Sequence, residues 1–262
     1  MPEPIEIVLL IDAGNTRIKS ARVVNGELRT LTPVIHTKSS ALEVCQQLLE
    51  DQHATVLYVS SVLGVEFARS VKEYCHSLQM QVVFMQSTSH AFGLNNAYQT
   101  PENLGVDRFV AMLGALDLSL PSELIIVVDA GTAVTIDIMT KEGKHLGGII
   151  SPGLQTMFAS LHKNTQLDQH SAINFNAYKG RYYADSTDDA IILGTVNTFI
   201  AGIEYTVEQT IKQLSSDVSI ILTGGDAELI TEGLSLDCEI HPDLVLRGLQ
   251  KVYNHEQTLI HV

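Results

Sequence analysis

The chain contains one short passage twice. Val8-Leu-Leu-Ile-Asp12-Ala-Gly-Asn-Thr-Arg-Ile-Lys19 and Val127-Val-Asp129-Ala-Gly-Thr-Ala-Val-Thr-Ile-Asp137 each read as an apolar strand, an Asp-Ala-Gly turn carrying Thr, and a second strand. A chain built by duplication around such a hairpin must fold as two related halves. The apolar arm stiffens the hairpin, and a glycine in the turn lets backbone N–H groups approach an anion with no side chain in the way. Asp12 and Asp129 fall where the strand ends, which suits a carboxylate to holding a hydrated cation beside that anion.

The order of elements around each copy repeats as well. Segments 5–11, 17–24 and 27–34 are rich in Ile, Val and Leu, are divided by turn signals including Asn25-Gly26, and predict a three-stranded meander. A helix over 40–51, a strand over 55–60, a helix over 64–79 and a strand over 81–86 follow, so the order is βββαβαβ. The second half restarts with strands over 123–129, 132–140 and 144–150, with Glu142-Gly143 at a turn, and goes on into helices and strands. Val218 to Leu222 runs into Thr223-Gly-Gly-Asp much as Val56 to Val59 runs into Ser60-Ser61. Between the halves, Leu104 to Leu118 reads as a helix with Phe109, Leu113 and Leu116 on one face, ending near Pro121. That places the domains at 1–118 and 119–262. Two βββαβαβ halves with a nucleotide turn at each first hairpin describe an α/β fold, the duplicated actin-like ATPase architecture of the ribonuclease H-like, acetate and sugar kinase superfamily. Ligands are expected in the cleft between the halves. Because that architecture also hosts chaperone and filament ATPases, it constrains the fold more than the substrate.

Composition narrows the partners. With 45% hydrophobic and 18% charged residues, the 262-residue chain has the makeup of a globular protein. A formal charge of -14 without a Lys/Arg cluster argues against nucleic acid. The apolar run that follows Glu3 and Glu6 is too short and too acidic at its start for a signal peptide. No run approaches the roughly 20 apolar residues of a membrane span, so neither secretion nor a membrane is expected. Cys45, Cys75 and Cys238, odd in number and without CxxC spacing, read as reduced thiols of a cytoplasmic protein. GxxxxGK[ST], GxGxxG, GxSxG and HExxH are all absent, and the ten His are scattered and read as surface or packing residues.

Asp12, Ala13, Gly14, Asn15, Thr16, Arg17, Ile18 and Lys19 put turn amides, polar side chains and a cation in one hairpin, a combination suited to polyphosphate, with Asp12 reaching magnesium through water. A single such stretch could be no more than a tight turn; the copy at Asp129 favours phosphate. Asp129 and Thr132 would lie opposite the first loop across the cleft, while Asp137 reads as a strand-end carboxylate. In Tyr98-Gln-Thr-Pro-Glu-Asn-Leu-Gly-Val-Asp-Arg108, Pro101 stiffens a loop, Asn103 is a candidate N-cap, and Asp107 and Arg108 fall in the first helical turn. An acid there can simply stabilise the helix, so the spacing alone does not make Asp107 functional.

The series D-x-G-N-T-x-x-K, Y-x-x-P-x-x-L-G-x-D-R, D-x-G-T-A-x-T-x-D, G-G-x-I-x-P-G at Gly147 to Gly153 and T-G-G-D at Thr223 resembles the type III pantothenate kinases, in order over nearly the whole chain to Pro242-Asp-Leu-Val-Leu-Arg-Gly-Leu. The resemblance implies transfer of the ATP γ-phosphoryl group to the primary hydroxyl of pantothenate, the first committed step towards coenzyme A. It also implies roles for individual residues. Asp12 to Lys19 hold ATP, with Thr132 on the second side. Gly105, Val106, Asp107 and Arg108 bind pantothenate, Asp107 accepting the hydroxyl proton and Arg108 engaging the carboxylate or the moving phosphoryl. Tyr98 lines the pocket, Thr187 contacts substrate while also suiting a helix N-cap, and Asp129 coordinates potassium or ammonium. A homodimer with a partly shared pantothenate pocket is implied too. The chain departs from the family's pattern at Phe109, where many members have Trp, and over Leu161 to Ile173, where a TAxLP-like segment is often found. Two rivals remain: an ATPase switch of the same fold, with water as acceptor, and a regulatory or accessory protein that kept the fold.

Overall fold

The computed structural model describes residues 7–37, 40–164 and 181–260. The chain divides into two compact units, one of 1–119, 142–146 and 243–262, the other of 120–141 and 147–242.

In the first unit the repeated hairpin is β1 (Val8–Ala13) and β2 (Arg17–Val24), followed by β3 (Glu27–Thr30), β4 (Val34–Ile35), α1 (Ala41–Gln52), β5 (Val56–Ser61), α2 (Val65–Ser77) and β6 (Gln81–Phe84). The sheet order is β3-β2-β1-β5-β6, with β4 also on β2. β1 runs antiparallel to β2 and parallel to β5. The expected strand over 27–34 is split in two around Pro33, which has no N–H to give the ladder. Alternation along β1 sends Leu9, Ile11 and Ala13 into a core with Cys45 and Leu49 of α1 and Val71 and Cys75 of α2. Tyr58 of β5 points the other way. Its ring meets Tyr253 edge-on and its hydroxyl donates to Glu256 Oε2 at 2.5 Å, both on α7 (Leu244–Ile260).

A short hairpin, β7 (His90–Ala91) and β8 (Leu94–Asn95), precedes a 3-10 turn at Pro101–Asn103 and α3 (Val106–Ala115). This helix is shorter than the expected 104–118, and Asn103 is not its cap: Leu104 is extended, and Gly105 takes the N-cap position. α7 packs along α3 and against β1, β2 and β5, so the last helix lies with the first unit and not with the half that a 119–262 domain would give it. Residues 142–146 join it through a close approach. Gly143, at φ +83°, passes so near Gly93 that an added Cβ would sit 1.9 Å from the Gly93 carbonyl oxygen.

The second unit repeats the plan with β9 (Leu124–Ala130), β10 (Ala133–Thr140), β11 (His145–Pro152), α4 (Leu154–Asn164), α5 (Thr187–Leu214), β12 (Val218–Thr223), α6 (Ala227–Thr231) and β13 (Glu239–Ile240), in sheet order β11-β10-β9-β12-β13. Asp137, read from sequence as a strand-end group, is instead a buried residue in the middle of β10. The expectation that no run is apolar enough to span a membrane also needs correction, since α5 meets that test by length and composition. Its Phe199, Ile203 and Val207 recur along one face and are buried in the core of this unit with Ile126, Val128 and Leu222, as in a helix packed on a sheet. Of the divergent stretch over 161–173, residues 165–173 lie outside the described residues.

Cys45, Cys75 and Cys238 are free thiols. Burial pushes Cys45 up to about 12, with Cys75 nearby adding to the shift, and pushes Cys75 up to about 11. Since the thiolate is the nucleophile, alkylation of either at pH 8 should be far slower in the folded protein than in urea, and it should rise steeply between pH 8 and 10 because both groups titrate above that range. Mass-spectrometric mapping after timed iodoacetamide treatment checks this, and native labelling at the rate seen in urea would contradict it.

Candidate functional site

The first cluster of expected site residues lies at the tip of β1–β2. Asn15, Thr16 and Arg17 are exposed, and Ile18 is buried and anchors the returning strand. Gly14, expected to offer its amide to an anion, donates it to the Arg17 carbonyl at 3.1 Å, so it closes the hairpin instead. Asp12 is opposite Lys19 on β2 and Ser60 on β5. His36 braces the turn from outside, its backbone N–H donating to Thr16 O at 3.0 Å and its Nε2 lying 2.9 Å from Gly14 O. Sequence reasoning treated His36 as a packing residue, and nothing local to position 36 links it to residue 14.

The second cluster forms where α3 begins. Asp107 Oδ1 accepts from the Arg108 N–H at 2.8 Å. A Cβ at Gly105 would lie 2.6 Å from that oxygen, so the glycine leaves the carboxylate its room. Arg108 is only 4% exposed, and it is held by Tyr98, whose hydroxyl accepts from its Nη1 at 2.8 Å and whose ring lies under the guanidinium at 5.6 Å. Tyr98 also stacks on buried His145, with centroids 6.1 Å apart and planes 18° apart. His145 is a second histidine that sequence reasoning missed: its Nδ1 also accepts from the Ala97 N–H at 3.3 Å, bridging forty-eight residues of chain. A groove of about 940 Å³ opens on this unit between α2 and the residues ahead of α3, and Gly105 and Val106 form part of its wall.

In the second unit Asp129 ends β9, opposite Thr135 on β10 and Thr223 on β12. The Thr223-Gly-Gly-Asp turn closes on it. Gly224, at φ +94°, approaches so closely that an added Cβ would lie 2.2 Å from Ala130 O and 2.5 Å from Asp129 Oδ1, and Asp226 N–H donates to Ala130 O at 2.9 Å. Thr132 is exposed at the tip, its carbonyl accepting from Gly153 N–H and from the Thr156 hydroxyl. Thr187 is the first residue of α5 and exposed, but it is not the N-cap. Ser186 is, its side chain accepting from Asp189 N–H. Among the described residues no group of three or more His, Cys, Asp or Glu could hold a metal by itself. A divalent ion beside Asp12 would therefore draw its other ligands from water and phosphate oxygens, which suits magnesium.

Two halves of this kind, each with an acid-bearing hairpin turn, define the actin-like ATPase and sugar kinase class. Solved structures agree on the fold: a Campylobacter jejuni protein described as a conserved putative Baf family transcriptional activator superposes with a TM-score of 0.60 at 22% identity, over 95% of this chain and 99% of that one. A putative N-acetylmannosamine kinase from Listeria monocytogenes superposes with a TM-score of 0.55 at 15% identity, over 96% and 99%. The family model for type III pantothenate kinase matches residues 8–209. Curated type III pantothenate kinases from Nitrosococcus oceani and Laribacter hongkongensis are 30% and 34% identical, over 94% and 93% of this chain and 93% and 97% of the relatives. The chain belongs to the type III pantothenate kinase family, whose reaction is the ATP-dependent phosphorylation of pantothenate in coenzyme A biosynthesis.

Proposed function

We propose that this chain carries out that reaction with Asp107 as the proton acceptor. The observation that carries the reading is the assembly of Asp107, Arg108, Tyr98 and His145 at the start of α3 from two distant stretches of sequence. Phosphoryl transfer passes through a loose transition state, so positioning and charge stabilisation do most of the catalysis. One carboxylate oxygen of Asp107 is fixed by its neighbour's amide, and the other would take the primary hydroxyl's proton late in transfer. Arg108, held flat by Tyr98, would engage the pantothenate carboxylate or the moving phosphoryl. Gly105 and Val106 complete the acceptor site in this reading. ATP would lie on the Asp12–Lys19 hairpin, its phosphates on the amides and side chains of Asn15, Thr16 and Arg17 and on Lys19. Magnesium, bridged to Asp12 by water, would offset phosphate charge when bound. Asp129 would hold a monovalent cation, potassium or ammonium.

The protein is further proposed to act as a cytoplasmic homodimer. Ile149, Ile150, Tyr182, Tyr183 and Tyr205 of the second unit are large apolar or aromatic residues exposed to solvent, which supports a protein contact there.

ADP release from magnesium-ATP, followed with and without pantothenate in potassium and then in sodium buffer, tests the reading. Turnover that requires both pantothenate and potassium is the expected result. Hydrolysis indifferent to pantothenate would instead indicate an ATPase switch, and a lack of turnover under every condition an accessory protein.

A further inference from the structure

The two hairpins share one burial pattern, and at the strand position that faces the acid they differ by a charge. β2 and β10 have the same succession of exposed, half-buried and buried positions over their eight residues. Lys19 is the third residue of one and Thr135 the third residue of the other, both half-buried. Ala13 is opposite Ile18 whereas Ala130 is opposite Val134, so the second turn is one residue shorter, yet register puts both third residues beside the acid: Asp12 faces Lys19, and Asp129 faces Thr135. On the far side of each acid the parallel strand supplies a hydroxyl, Ser60 beside Asp12 and Thr223 beside Asp129. The registered pairs before that rung are mainly apolar, from Val8 with Val56 to Ile11 with Val59 in one sheet and up to Leu222 with Val128 in the other.

We propose that Thr135 and Thr223 are positioning residues for a recruited monovalent cation on Asp129, which in the second unit takes the place that the Lys19 ammonium fills covalently in the first. The proposal rests on the reading of Asp129 as a cation site. Residues directly opposite across a strand pair project from the same face of the sheet, so Asp129 shares its face with two hydroxyls where Asp12 shares its face with a cation and a hydroxyl. Thr223 Oγ1 is buried, in a residue 1% exposed, and has no hydrogen-bond partner among the described residues. A buried hydroxyl left unsatisfied carries a desolvation penalty, which a ligand in its vicinity would offset. One carboxylate and neutral oxygen donors balance a single positive charge. A divalent ion prefers more carboxylates or a shell of water, and no cluster of three acidic, His or Cys ligands exists among the described residues. Gly224 and the Asp226–Ala130 hydrogen bond fix the turn against Asp129, so the receptor is rigid before the cation arrives.

The substitution that tests this is Thr135→Lys, compared with Thr223→Val, Thr223→Ser and a control, Ser20→Ala. Ser20 is as buried as Thr223 and its hydroxyl likewise lacks a partner among the described residues, but it is opposite Ile11 and no acid. Binding of magnesium-ADP is measured by calorimetry, and melting by scanning fluorimetry, each across a potassium chloride series at constant ionic strength made up with sodium chloride. Wild type should bind more tightly and melt higher as potassium rises, with saturation. Thr223→Val should raise the half-saturating potassium concentration about tenfold, the loss expected for one contact to a charge, while Thr223→Ser restores it. Thr135→Lys should bind magnesium-ADP in sodium as wild type does in potassium, with no further response to potassium. If Thr135→Lys fails to fold, the Thr223 pair decides the matter alone. Potassium curves unchanged in the Thr135→Lys and Thr223→Val proteins would overturn the proposal, as would an equal shift in Ser20→Ala. A wild type that ignores potassium would instead bring down the underlying reading of Asp129.

Discussion

Asp107→Asn should lose turnover by about 10²–10⁴-fold while keeping its affinity for both substrates, because the change removes a proton acceptor and little else. An asparagine preserves the side-chain oxygen that accepts from the Arg108 N–H at 2.8 Å, so that contact in the first turn of α3 survives. Arg108 remains on Tyr98, and Tyr98 on His145, by bonds that do not involve residue 107. The expected signature is a fall in kcat with KM for pantothenate close to wild type, the pattern of an interaction realised only in the transition state. Steady-state kinetics with pantothenate varied, alongside calorimetric binding of pantothenate to the variant, would show it. A variant that turns over like wild type would take Asp107 out of the chemistry and return it to the helix-stabilising role its position also permits.

The largest stability effect should come from Gly248→Val, far from any reacting group. α3 and α7 cross with their backbones in near contact: a Cβ on Gly248 would lie 2.0 Å from Val110 O, and one on Gly114 would lie 2.1 Å from Leu244 O. Neither obstacle is the end of a flexible side chain, so the helices themselves would have to separate. Overpacking a core typically costs 1–3 kcal/mol, and a valine wedged between two helix backbones should reach about 3 kcal/mol. Each kcal/mol lowers Tm by roughly 2–4 °C in a domain of this size. The comparison is Gly202→Ala on α5, where nothing lies within 4 Å of the added atom and alanine is the better helix former, so the melt should hold or rise. Equal melting of the two variants would show that the crossing tolerates expansion.

Because α7 lies on α3 and on the strands that carry Asp12 and Ser60, loosening that crossing should also reach the candidate site. The sequence did not show this. A pattern reading assigns α7 to the half in which it falls, since a helix's apolar stripe says that it packs but not on what. The same limit explains the histidines. His145 and Tyr98 are far apart in sequence, and only the path of the chain through Gly143 and Gly93 brings them within stacking distance. It explains Asp137 as well, where the strand was read correctly but its burial depends on what covers the sheet.

Local signals did succeed where the physics is local. Alternation and turn residues located the repeated hairpins, the apolar runs that became β5 and β12, and the helix that carries Asp107 on its first turn. Where they slipped, a neighbouring residue intervened: Pro33 broke the third strand, and the extended Leu104 moved the helix start from Asn103 to Gly105.

The sequence by itself determined the duplication, the acid-bearing turns and the ordered motif set that marks the family, because each is carried by residues a few positions apart whose backbone preferences and spacing act over one turn or one strand. Tertiary structure alone decided which groups face one another across the strands: Lys19 beside Asp12, Thr135 and Thr223 beside Asp129, His145 against Tyr98, and α7 against α3. Register and helix docking are set by the summed burial of whole faces, a quantity distributed over the chain, and no short stretch of residues states it in advance.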